Sequence, residues 1–296
     1  MESRLIGLVT AAAAVAAIAG AASAQSGEYF ITTEDLATDE IRVIQSGVIK
    51  NSWVPPLRRG AIAVGPGDSV RTIEEAMGTG ASFIGEEYDK NGALIGPAGP
   101  LDTTGIGMGR IIDGGFDGQN TYVVSGFDAF GATIGEVWAF GPGFDGGAGT
   151  FLFNVGQNDQ GITYDTVTNT IWTSEYNLGS TSAGLIKQYD LMGNLLFSFP
   201  AQRSDPNGRV FASERNTALA YDPSDDTLWF NAHVDMDLSG TTGELWQFDR
   251  NGNFLQAIDP DPNADVLYWG GEFSIPSPGA AALAAIGAVA LTRRRR

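Results

Sequence analysis

No cysteine occurs anywhere in the 296 residues. Disulfides and thiol nucleophiles are therefore excluded, and so is a lipid anchor that needs a cysteine after a leader. Histidine occurs once, as His233, which rules out any histidine cluster for zinc. Basic residues are scarce, with Lys+Arg 17 against Asp+Glu 35 and a net charge of −18. Without Glu2, Arg4 and Arg293 to Arg296, the body carries 12 basic and 34 acidic residues. Such a surface repels phosphate backbones, so no nucleic-acid partner is expected. It is a solvated acidic exterior that favours solubility and could bind cations. There is no Gly-x-Ser-x-Gly nucleophile elbow. Gly105-Ile106-Gly107-Met108-Gly109-Arg110 matches neither a dinucleotide fingerprint nor a P-loop, and is expected to be a flexible link.

Long apolar runs are missing from the body and confined to the two ends. Met1 to Ala24 has the form of a secretory signal helix. Arg4 gives the positive start, Leu5 to Ala19 the apolar stretch, and Ala22-Ser23-Ala24 the small-residue site at which signal peptidase cuts. The mature chain is expected to begin at Gln25 and its body to run over 25–274. At the other end, Pro276 and Pro278 bar helix or sheet from running through. Ala280 to Leu291 follow, twelve small apolar residues that as a helix span ~18 Å of a ~30 Å bilayer core. Arg293, Arg294, Arg295 and Arg296 then mark the cytoplasmic side. The tripartite tail over 275–296 resembles the PEP-CTERM sorting signal of Gram-negative envelope proteins, with the family's Pro-Glu-Pro standing here as Pro276-Ser277-Pro278. That resemblance implies an exosortase-like membrane protease as partner and transient anchoring by a C-terminal hydrophobic helix. It also implies a destination at the cell envelope, on the outer surface or in the medium. A plain C-terminal anchor is the alternative.

The body repeats itself. Residues 161–199 and 218–258 share a phrase: Tyr164-Asp165 returns as Tyr221-Asp222, Ile171-Trp172 as Leu228-Trp229, and Gln188-Tyr189-Asp190 as Gln247-Phe248-Asp249. Gly135 to Phe140 and Glu86 to Gly92 carry weaker copies of its second half, and Tyr29 to Ile49 a partial one. The marker positions Ile44, Tyr88, Phe140, Tyr189 and Phe248 step by 44, 52, 49 and 59 residues. Four short strands with turns need about 40 to 50 residues, one propeller blade. With 40 Gly, 13 Pro and 10% aromatics, the composition suits short strands and turns rather than helices.

An all-β fold follows: a β-propeller of about five four-stranded blades. The earliest copy lacks a first strand, and the orphan run Val266 to Ile275 is expected to supply it, closing the ring with strands from both termini. A six-bladed ring is the alternative, with extra strands in Asp102 to Phe116 or Gln202 to Arg215. The recurring Tyr-Asp, Trp strand and Phe-Asp-x-x-Gly turn resemble extracytoplasmic propellers with NHL-like or gluconolactonase-like blades. Such positions are framework and say little about activity.

Candidate chemistry concentrates in the last copy. Asp235, Asp237 and Ser239, followed by Gly240, have the spacing of the first half of a Ca²⁺ loop, but Trp246 stands where the bidentate Glu is due. A Ca²⁺ site and an unliganded acidic turn both remain open. Asp259 to Asp265 offers further oxygens, stiffened by two prolines, as a linker in the closure region. His233 could act as a base beside Asp235 or merely edge a loop. Glu175, Glu214, Arg215, Asn216 and Asn231 lie near expected strand ends. Gluconolactonase-like propellers hold a channel metal with Glu, Asn and Asp at such places. Two functions are therefore in play. One is an exported binding or structural module that meets an envelope polymer or surface ligand; the other is a metal-dependent hydrolase or lactonase with channel carboxylates.

Overall fold

The computed structural model describes residues 27–274, apart from 35–38, 57–58, 66–68, 75–82, 102–109, 127–134, 145–148, 157, 178–181, 235–240 and 263–265. The expected signal helix and C-terminal helix lie outside these residues. Among the described residues, no helix is long and apolar enough to cross a membrane.

Five four-stranded antiparallel sheets form in chain order. The first blade holds β1 (Tyr29–Glu34), β2 (Ile41–Gln45) and β3 (Val48–Trp53). The second holds β4 (Arg59–Val64), β5 (Val70–Glu74), β6 (Phe83–Tyr88) and β7 (Leu94–Leu101). The third holds β8 (Arg110–Phe116), β9 (Thr121–Gly126), β10 (Gly135–Phe140) and β11 (Thr150–Val155). The fourth holds β12 (Asp159–Asp165), β13 (Thr170–Glu175), β14 (Leu185–Tyr189) and β15 (Leu195–Pro200). A hairpin of β16 (Gln202–Ser204) and β17 (Val210–Ala212) precedes the fifth blade. That blade holds β18 (Arg215–Asp222), β19 (Thr227–Val234), β20 (Thr241–Asp249) and β21 (Phe254–Ile258). The last strand, β22 (Leu267–Phe273), returns to the first blade and pairs with β1, Tyr29 opposite Phe273. The ring closes as expected, with Ser274 N–H donating to the Glu28 carbonyl at 2.9 Å.

All five marker residues fall on the third strand of their blades, and all are buried. The six-bladed alternative is corrected by the pairing: Arg110–Phe116 is the inner strand of the third blade, and β16–β17 is a two-stranded hairpin, too short to form a blade.

The core is divided among five seams. Tyr29, Ala218, Trp229 and Phe273 pack where the fifth blade meets the first. Phe30, Val43, Ile62 and Tyr88 fill the next seam. Ala61, Ile111, Phe116 and Phe140 follow, then Tyr122, Phe153, Ile162 and Tyr189. Trp172, Phe199, Tyr221, Phe230 and Trp246 complete the circuit between the fourth and fifth blades. Fully burying such a side chain stabilises by roughly 1.5–3 kcal/mol, so each seam is a cohesive interface.

The repeated phrase encodes turns. Asn169 and Asp226 sit at φ 59° and 65°, an uncommon conformation outside glycine. The Tyr164 hydroxyl donates to Asn169, and the Tyr221 hydroxyl to Asp226. Asp165 accepts the Val167 and Thr168 amides from the other side. Tyr-Asp is thus a two-handed clamp on the first hairpin turn of the blade. On the second hairpin turn, Asp190 and Asp249 each accept two backbone amides, two and four residues on. Asn194 and the turn amides hold the Asp190 carboxylate below its ordinary pKa.

These turns define two unlike faces. The inner strands β22, β4, β8, β12 and β18 neighbour one another around the axis. The tight turns within hairpins gather where those strands end, the turn face. The longer connections from second to third strands, and from blade to blade, gather where they begin, the entry face.

Candidate functional site

A propeller's axis is the natural place for a ligand site, and here inner-strand chemistry fills it. Asp113 lies midway along β8, wholly buried. One of its oxygens accepts the amides of Ile162 at 3.0 Å and Leu219 at 2.9 Å. The other accepts those of Gly114 and Gly271, both at 2.9 Å. One carboxylate therefore joins the inner strands of four blades. Burial pushes its pKa well up, and the four N–H donors pull it back. All four of its hydrogen-bond partners are backbone amide donors.

The fifth inner strand joins through Thr32, whose hydroxyl donates to the Gly60 carbonyl at 2.7 Å and accepts the Gly270 amide at 2.9 Å. Glycine lets the strands approach this closely. A Cβ on Gly270 would lie 2.4 Å from the Gly60 oxygen, and one on Gly115 2.8 Å from Thr163 Cα. Glu272 is buried beside this centre, its pKa driven well up by burial and then by the Asp113 charge. The amides of Phe273 and Phe116 and the Thr163 hydroxyl oppose that shift without overcoming it.

The entry mouth is capped. The Tyr176 ring, from the fourth blade, stacks on Trp269 of the closing strand at 6.1 Å and 19°. The Arg215 guanidinium, from the fifth, lies 5.7 Å from the Tyr176 centroid. Tyr176 is also bridged to Arg215 through the backbone, and its amide donates to the Asn158 carbonyl at 2.8 Å.

Beside this cap, Lys187 sits between Asp159 at 3.1 Å and Glu175 at 2.5 Å. Burial alone would lower the Lys187 pKa, but the two carboxylates outweigh it and raise it. Asp159 also accepts the Thr173 hydroxyl at 2.9 Å, and Glu175 the Leu185 amide at 2.9 Å. The triplet cross-ties β12, β13 and β14; its lysine is charged and no nucleophile.

The residues singled out from sequence divide accordingly. Glu175 goes to Lys187, and the Asn216 amide donates to the Glu175 carbonyl at 3.1 Å. Asn231 points to Thr217 and the Tyr268 carbonyl. Glu214 and His233 meet through their backbones, where the Glu214 amide donates to the His233 carbonyl at 3.2 Å. His233 pairs with Arg215 at the strand edge, and its amide donates to Ser213 at 3.0 Å. Asp261 makes an ion pair with Arg42 at 3.3 Å, which fits its segment to the closure-linker role. Asp235, Asp237 and Ser239 lie outside the described residues, as do Ala22, Ala24, Pro276, Pro278 and Arg293 to Arg296. Among the described residues, no three of His, Cys, Asp and Glu come together so as to hold a metal ion.

Sequence reasoning passed over Asp113 and Glu272. A signal was present: Asp113-Gly114-Gly115-Phe116 and Gly270-Gly271-Glu272-Phe273 each set one acid beside paired glycines and a phenylalanine.

A small apolar cleft of about 20 Å³, room for one water, lies at the closing seam between Tyr29, Ile44, Gly47, Trp229, Ile258 and Phe273.

No protein-family model matches the sequence, and no curated protein matches it. Solved structures align with it at low identity. A chain of the nidogen/laminin complex is 10% identical with a TM-score of 0.48, over 83% of this chain and 98% of that one. A protein of unknown function from Bacteroides caccae is 10% identical at 0.45, over 83% and 98%. TolB from Acinetobacter baumannii is 12% identical at 0.45, over 82% and 67%. The five-bladed ring stands on the strand pairing itself.

Proposed function

We propose that this chain is an exported propeller, sorted to the cell envelope by its C-terminal tail, and that it serves there as a binding or structural module. One observation carries the choice of a module over a channel enzyme: the axis is occupied by glycine backbone and by Asp113, whose two oxygens are taken up by four backbone amides of the ring. The signal-type N-terminus and the Pro-Ser-Pro tail support export and exosortase-type sorting. Binding belongs on the entry face, where the blades differ in connection length and the framework imposes least. Deleting 275–296 in a Gram-negative host tests the sorting. The truncated chain should appear in the medium or periplasm while the full chain stays with the envelope; equal envelope association of both would refute the role of the tail. The Asp235–Gly240 segment is proposed to take Ca²⁺, on its Asp-x-Asp-x-Ser-Gly spacing. Saturating Ca²⁺ at a hundred times Kd should add about 2.7 kcal/mol and raise Tm. A melt unchanged by Ca²⁺ ends that part.

A further inference from the structure

Both ends of the ring leave from one face. The closing strand β22 starts at the entry mouth, where Trp269 stacks on Tyr176, and runs to the turn face, ending at Phe273. β1 begins beside it, with the Tyr29 and Phe273 rings stacked at 4.6 Å. The apolar tail segment Ala280 to Leu291 is joined to Phe273 by only six residues, 274–279. Fully extended, six residues reach at most ~22 Å. The seven residues of β22 span ~23 Å along the axis, and a detour round the rim must also pass three further strands at ~4.8 Å each. The spacer cannot carry Ala280 to the entry face.

We infer that the chain is tethered to the bilayer by its turn face, with the entry face turned outward. This rests on the proposed membrane insertion of the tail. The turn face carries Asp89, Asp190, Asp225, Asp226 and Asp249 against Lys90 and Arg250. An anionic lipid surface repels it over a screening length of ~8 Å, well within the reach of the spacer. The ring therefore stands off the membrane instead of lying on it, and its long connections face whatever approaches the cell.

The absence of cysteine makes the test clean. Asn158 and Val167 are exposed and flank β12, one at each face. The full chain carrying N158C or V167C is expressed in a Gram-negative host, recovered with its membranes, labelled with a donor dye, and given a lipid-headgroup acceptor. M192C, on a second exposed turn-face loop, repeats the turn-face measurement should V167C misfold. Energy transfer should be stronger from 167 and 192 than from 158, the ~23 Å of β12 separating the two levels. Equal or reversed transfer in membrane-bound protein overturns the orientation. Recovery of the full chain free of membranes overturns the tethering reading, and the orientation with it.

Discussion

Asp113 and Glu272 form a buried pair, and burial pushes both carboxyl pKa values well up. Asp113 is ringed by four N–H donors, while Glu272 lies in the same buried centre under the Asp113 charge. For Glu272 the folded pKa is raised well above its unfolded value, so folding takes up a proton. Its stabilising contribution is complete below the unfolded value near 4.3 and declines as pH rises towards the folded value, at about 1.4 kcal/mol per pH unit. Glu272→Gln keeps the shape and removes the titration. In thermal melts between pH 5 and 8, wild type should lose Tm relative to the variant as pH rises; parallel curves would show that Glu272 does not carry the proton. Little of this was legible beforehand. Acids scattered through a chain with Asp+Glu 35 are mostly solvated, and only the fold reveals which of them lie buried at the axis.

At the scale of strands and turns, the repeat was legible because the same physical demand recurs in four of the five blades. The second hairpin turn of each of four blades places a glycine at positive φ against the preceding blade's outer strand: Gly47 on Ile258, Gly92 on Trp53, Gly193 on Phe153 and Gly252 on Phe199. Gly252 is held both by φ 80° and by space, since a Cβ there would lie 2.6 Å from the Phe199 ring. Gly208, in the β16–β17 hairpin, has the same φ 80° and nothing within 4 Å. Gly208→Ala should cost about 1–2 kcal/mol from the backbone alone. Gly252→Ala should cost clearly more, up to about 4 kcal/mol with the added overlap. Equal denaturation midpoints for the two variants would show that the seam contact does not matter. The two-stranded β16–β17 insertion was half legible: its strand residues were visible, but its failure to become a blade depends on partners that sequence does not display. Arg203 lies 5.2 Å from the Trp246 ring and pairs with Glu244 at 3.1 Å, so the hairpin leans on the fifth blade.

For the molecule as a whole, ring closure was readable because a missing first strand at one end and an orphan strand at the other have one economical solution. The content of the axis was not readable, because it depends on backbone amides, which every residue carries alike. Asp113 holds four of the five inner strands together at the axis, and Thr32 joins the fifth. Native-state hydrogen exchange of the Ile162, Leu219 and Gly271 amides, in wild type and Asp113→Asn, tests this most directly. In wild type these amides, far apart in sequence and on three blades, should be among the slowest to exchange. Asparagine turns an N–H₂ group towards amide donors, which should cost roughly 2–5 kcal/mol and lower protection at all three together. Fast exchange at these amides in wild type, or loss confined to the third blade in the variant, would contradict the carboxylate-held axis.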